Sequence, residues 1–216
     1  MANTTSSKGS MSRLVRTRRS LVDAGLQLFA ERPVDAVPID DIVAAAGVAK
    51  GSFFNHFNDK QSFANAIAAE IRLDIEARVA EANKDIVNPL ERLTGGMRTA
   101  AEFALSEKQR SIVVTRSLKL TTGRDHPLNA GLRKDVESAC AHGLLRPEAE
   151  SSGLLFWLGA CHSIMSNIIE RNLSRPKAAE RMADIMMMGL IGLGVGEAEA
   201  RTLAEANKNQ LLRTTR

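Results

Sequence analysis

Tyrosine is absent from this chain of 216 residues, tryptophan occurs once and cysteine twice. Two cysteines, Cys140 and Cys161, make no disulfide framework, so a packed core must hold the fold, and a reducing cytoplasm is the simplest setting. Alternating runs of Val, Ile, Thr and Tyr are missing, which argues against a strand-rich architecture. No run of about 18 uncharged apolar residues occurs, so no membrane span is expected. The longest apolar stretch, residues 153–169, carries His162, Ser163, Ser166 and Asn167 and reads as a buried helix. The opening MANTTSSKGS lacks the apolar segment of a secretory signal.

What is present is a chain with 44% apolar and 25% charged residues, long enough for one or two domains with a full core. The net charge of +4 is modest; its placement says more. Lys8, Arg13, Arg16, Arg18 and Arg19 are the only charges in the first twenty residues, and all are positive. Residues 1–11 are expected as a disordered basic tail. A basic arm of this kind usually means a solvated tail; ahead of a DNA-reading motif it becomes a footprint for phosphates.

Apolar residues recur at three- and four-residue spacing, which predicts an all-α fold. Leu21, Val22, Gly25, Leu28 and Phe29 mark one face of a first helix over 12–31, stopped by Pro33. Pro38 opens a second helix, with Asp40 and Asp41 suited to its first turn. The stretch IDDIVAAAGVAKGSFFNHFNDK, residues 39–60, then reads as two short helices joined at Gly47, where a positive φ is expected. A fourth helix starts near Lys60, capped by Asn58 or Asp59, with Phe63, Ile67, Ile71, Ile75 and Val79 on one side. Helical blocks follow over 89–105, 108–121, 127–142, 146–172, 176–193 and 196–209, separated by Pro and Gly breakers.

Two helices about a Gly-centred turn form the helix-turn-helix pattern of DNA readers. In the second of them Lys50, Gly51, Ser52 and Asn55 are short or hydrogen-bonding, as a helix edge in a major groove must be. Lys50 suits guanine acceptors or a phosphate, Asn55 an adenine edge, and Ser52 either. Gly51 lets the backbone come close. Phe53 and Phe57 should pack inward, while His56 and Lys60 sit where the chain leaves the groove and would clamp phosphate. Arg16, Arg18 and Arg19 add backbone contacts.

Residues 18–60 resemble the DNA-binding domain of the tetracycline-repressor (TetR) family of bacterial regulators. The resemblance is carried by RRSLVDAGLQLFAER, IVAAAGV and KGSFFNHFNDK. It implies a homodimer with an N-terminal three-helix reader over 12–60 and a C-terminal helical domain over 61–210 for effector binding and dimerisation. Three departures stand out. Phe54 replaces the family's phosphate-binding Tyr, Pro33 replaces a Gly, and Val37 stands where a capping Thr is usual, with Pro38 partly compensating. Phe54 and Pro38 complete the expected DNA-facing set.

In the C-terminal part, residues 153–169 and 183–193 are apolar all round and should form the dimer contact, with Gly159, Ala160, Ala183 and Gly189 allowing close approach. An effector pocket between the middle helices would draw on Met97, Phe103, Ile112, Thr115, Arg116, Leu120, Trp157, Cys161 and Met165, any one of which is more often plain core. Cys140, His142, Cys161 and His162 have the wrong spacing for a zinc finger, and no metal or other cofactor is expected. Gly192, Gly194 and Gly196 follow no strand and are dismissed as a phosphate loop. The expected function is a repressor released from a quasi-palindromic operator by a small, mainly hydrophobic effector, its two readers about 34–36 Å apart. The rivals are an all-helical enzyme, for which no convergent acid, base or nucleophile is seen, and a non-specific architectural DNA binder.

Overall fold

The computed structural model describes residues 5–116, 123 and 125–213, with side chains from residue 13 onward. Among these the chain is all helical. It divides into two compact units, residues 1–70 and 71–216.

In the first unit, α1 runs Thr5–Glu31, α2 Ile39–Ala45, α3 Lys50–Phe54, and α4 begins at Lys60 and ends at Ala82. The start of α1 differs from expectation: residues 5–11, read as disordered tail, are helical, whereas 1–4 lie outside the described residues. No proline interrupts the helix between Thr5 and Ser12, and a single Gly9 costs only about 1 kcal/mol. Pro33 stops α1, and a 3-10 turn over Val34–Ala36 leads to Val37, which is extended and fully buried. Its apolar side chain therefore fills core where a capping hydroxyl was considered. Pro38 is the cap residue itself, without a side-chain hydrogen bond, and Ile39 is the first helical position.

The turn after α2 forms as expected. Gly47 has φ +65°, its N–H donates to the Ala44 carbonyl at 3.1 Å, and the Val48 N–H donates to the Val43 carbonyl at 3.0 Å. These two bonds satisfy carbonyls that the helix end would leave open. Asp59 is the cap of α4: its Oδ1 accepts from the Ser62 N–H at 2.6 Å while Ser62 Oγ accepts from the Asp59 N–H at 3.1 Å. The core is an aromatic cluster. Phe63 lies 4.6 Å from Phe57, 5.2 Å from Phe53 and 5.8 Å from Phe29, ring centre to ring centre. Because Phe63, Ala64 and Ile67 are buried, this unit extends to residue 70, ten residues past the expected boundary.

The second unit holds the rest of α4 with α5 (Pro89–Ser106), α6 (Lys108–Arg116), α7 (Ala130–Ala141), α8 (Ala149–Glu170), α9 (Arg175–Gly192) and α10 (Glu197–Arg213). The expected block 108–121 is described only to Arg116. Asn88 caps α5, accepting from the Leu90 N–H at 2.9 Å, and Pro89 occupies the first turn, where its missing N–H costs nothing. α5 is central and packs against each of α6 to α10. A bidentate pair between Arg175 and Glu102 fastens α9 to it. Gly194 (φ +102°) is where an added Cβ would come within 2.8 Å of the Arg146 backbone nitrogen, so a close chain crossing explains the glycine.

By length and composition α8 is apolar enough to cross a membrane, although no span was expected, because its leucines, isoleucines and other apolar residues outweigh His162, Ser163, Ser166 and Asn167 in the average. In this unit it packs against α5, α6, α7 and α9 with one part of its surface.

Candidate nucleic-acid interface and cavity

α3 presents two faces. Phe53 is fully buried and Phe57, just beyond the helix, is buried with it. Lys50, Gly51 and Asn55 are exposed and Ser52 half-buried, so the expected reading edge faces outward. Phe54 is 51% exposed and meets Phe53 edge-on at 5.4 Å. It offers the groove an apolar ring with no hydroxyl to bond a phosphate. Pro38 is exposed at the start of α2.

The cations are more engaged than the sequence suggests. Lys50 Nζ sits 2.8 Å from Asp40 Oδ1, an exposed pair that joins α2 to the head of α3. Lys60 Nζ donates to the Asp35 carbonyl at 2.9 Å. Arg18 pairs with Glu70 at 2.5 Å and lies over the Phe57 ring at 5.6 Å, so it braces α1 against α4. Arg16 is exposed on α1, and Arg19 is exposed with Asp23 4.0 Å away. His56 is half-buried, and its Nε2 is buried with no partner among the described residues. The start of α4 already holds the Asp59 carboxylate, which competes with an incoming anion.

In the second unit a cavity of about 120 Å³ opens between α4, α5, α7 and α8. α4 contributes the stripe Arg72, Ile75, Glu76, Val79 and Ala80, with Asn83 just past its end; α5 adds Arg92, Leu93, Gly96 and Ala100. Gly131, Leu132 and Asp135 come from α7, and Trp157, Leu158 and Cys161 from α8. Of the expected pocket set only Trp157 and Cys161 line it. Met97, Phe103 and Met165 are buried elsewhere as core, because a Met or Phe on an apolar face is defined by being covered, whatever covers it. Ile112 and Thr115 are half-buried on α6, which the cavity does not touch, and Arg116 is exposed there. Leu120 lies outside the described residues.

Two arginines organise the cavity's polar edge. Arg92 Nε donates to Asp135 Oδ1 at 2.6 Å and its Nη1 to the Asn83 carbonyl at 2.9 Å. Arg72 pairs with Glu76 at 2.7 Å. Burial holds the carboxyls of Glu76 and Asp135 above the usual range, against the pull of Arg72 and Arg92. Burial also pushes the Cys161 thiol up to about 12, so it is an inert wall group. Trp157 donates its indole N–H to the Leu93 carbonyl at 3.2 Å. Among the described residues no three of His, Cys, Asp and Glu group to hold a metal.

α8 and α9 leave Leu155, Phe156, Met188 and Ile191 exposed by 38–61%. The small residues expected to ease a dimer contact there divide: Gly159 faces open space, while Gly189 is needed within the chain, since a Cβ would stand 3.0 Å from the Trp157 ring. Ala183 is buried as well.

Residues 21–67 match the family described as bacterial regulatory proteins, tetR family. The HTH-type transcriptional repressor DhaR of Mycobacterium sp. (strain GP1) is 39% identical over 77 residues, 35% of this chain and 39% of that protein. The chain thus spans well under half the length of this curated relative. Two solved structures share the fold at 20% identity. RolR in complex with the ligand resorcinol has a TM-score of 0.61, covering 90% of this chain and 95% of that one. AibR in complex with isovaleryl coenzyme A and operator DNA has a TM-score of 0.59, covering 80% and 97%. The Gly47 turn, the outward edge of α3 and the match over residues 21–67 agree: the N-terminal unit is similar to the DNA-binding region of the tetR family of bacterial regulatory proteins.

Proposed function

We propose that this protein is a sequence-specific transcription repressor, acting in the cytoplasm as a homodimer on a quasi-palindromic operator and released by a small, mainly hydrophobic effector. The observation that carries the reading is the division of α3: Lys50, Gly51 and Asn55 turned to solvent while Phe53 is locked in the core. An aromatic anchor fixes the helix, and the opposite edge is left free for bases. DhaR's naming as a repressor, and the ligand and operator in the RolR and AibR structures, support the same assignment.

The exposed apolar faces of α8 and α9 supply the surface for a two-fold contact. The effector would enter the cavity beside α4. It shifts operator affinity only as far as it prefers the setting of α4 in which DNA is released. A DNA fragment from upstream of the chain's own gene should bind about 10³-fold or more tighter than random duplex of equal length. Equal affinities would make the protein an architectural binder instead.

A further inference from the structure

We infer that the cavity between α4, α5, α7 and α8 receives a small uncharged molecule of about five or six carbons bearing one acceptor oxygen, bonded by Arg72. This rests on the effector-responsive reading above and narrows the effector's class.

Size is the first argument. An apolar cavity of about 150 Å³ in another protein takes benzene; at about 120 Å³ this one suits a slightly smaller ring or a short branched chain. Its walls, Ile75, Val79, Leu93, Trp157 and Leu158, are apolar and fit such a body.

Charge is the second. The lining carries two cations, Arg72 and Arg92, and two acids, Glu76 and Asp135. Each arginine is within 2.7 Å of its own acid. A charged ligand would find its counterion already taken and would lose its hydration without recompense.

The third is one unmade bond. Arg72 spends Nη2 on Glu76 and on Asn129 Oδ1 at 3.4 Å, while its buried Nε–H has no acceptor among the described residues. That atom is closed off from the cavity, so a ligand hydroxyl or carbonyl oxygen would bond the same guanidinium at Nη1, which makes no bond among the described residues. The other orphan in the lining, Asn83 Oδ1, is an acceptor and lies against Gly95, where a Cβ would come within 2.6 Å. The Arg72 donor lies toward the Cys161 end of the cavity, since Arg72 and Glu76 both act electrostatically on that thiol.

The chain carries its own reporter. Trp157 is the one tryptophan, tyrosine is absent, and the indole lines the cavity. Its emission should be titrated with cyclopentanol, methylcyclopentane, cyclopentanecarboxylate and cyclopentylammonium. Cyclopentanol should shift the emission saturably and bind about tenfold or more tighter than each of the other three. Arg72→Lys keeps the positive charge beside Glu76 and displaces the donor. It should lower cyclopentanol to the level of methylcyclopentane and leave methylcyclopentane unchanged, an internal check that the cavity is intact. A carboxylate or ammonium that matches the alcohol overturns the neutrality argument. Equal binding of alcohol and hydrocarbon overturns the role of Arg72, and no response to any of the four overturns the site. Operator affinity measured in parallel separates the two readings. Saturating cyclopentanol without DNA release sinks the regulator reading and leaves the ligand class standing; release by the carboxylate alone does the reverse.

Discussion

Gly25→Ala tests the packing that holds the reader in shape. Gly25 lies inside α1, where glycine is a poor helix former, so alanine would ordinarily stabilise by about 0.5–1 kcal/mol. Here the sign should reverse. An added Cβ would stand 2.4 Å from Phe63 Cζ and 2.8 Å from Ile67 Cδ1. Phe63 cannot give way, because it is fully buried among the rings of Phe29, Phe53 and Phe57. Overpacking of this kind costs about 1–3 kcal/mol, and 2.4 Å belongs at the upper end, so the net effect should be a loss of about 2 kcal/mol. Urea denaturation followed by circular dichroism should show the midpoint falling by about 1 M. Since Phe63 buttresses Phe53 in α3, operator affinity should fall as well. Phe63→Leu opens room, so the double variant should be more stable than the sum of the two losses by about 1 kcal/mol or more. A Gly25→Ala protein as stable as the parent, or more stable, would refute the close approach of α1 and α4.

Other perturbations follow from the same geometry. Asp59→Ala removes the reciprocal cap with Ser62 and should cost about 1 kcal/mol in thermal or urea unfolding. Asp40→Asn releases Lys50 from an exposed pair; stability should change by less than about 1 kcal/mol, while operator affinity rises as the acid leaves the DNA-facing side. Arg92→Met strands the Asp135 carboxylate, whose side chain is only 10% exposed, and should cost about 3–5 kcal/mol, with Arg92→Met/Asp135→Leu recovering much of it in the same denaturation assay.

What could be read from residues alone follows a physical division. The Gly47 turn, the Asp59 cap and the inward Phe53 and Phe57 were legible because they depend on neighbours within a few positions, through φ, capping and helical period. The cavity was not. Apolar spacing tells which face of a helix is covered; it does not tell whether the cover is side chain or void, so Met97 and Phe103 read the same as Trp157. Its polar edge joins Arg92 to Asp135, 43 positions apart, and no local signal announces that pairing. Lys50 and Lys60 were legible as cations, while their engagement with Asp40 and the Asp35 carbonyl had to be seen in three dimensions.

The most direct test of the account is the operator affinity of Asn55→Ala set against that of Lys60→Ala, each measured on operator and on random duplex across a salt series. Asn55→Ala should cost about 1–3 kcal/mol on operator and little on random DNA. Lys60→Ala should weaken both alike and flatten the salt slope by about one. If Asn55→Ala leaves operator binding untouched, α3 does not read bases and the account fails.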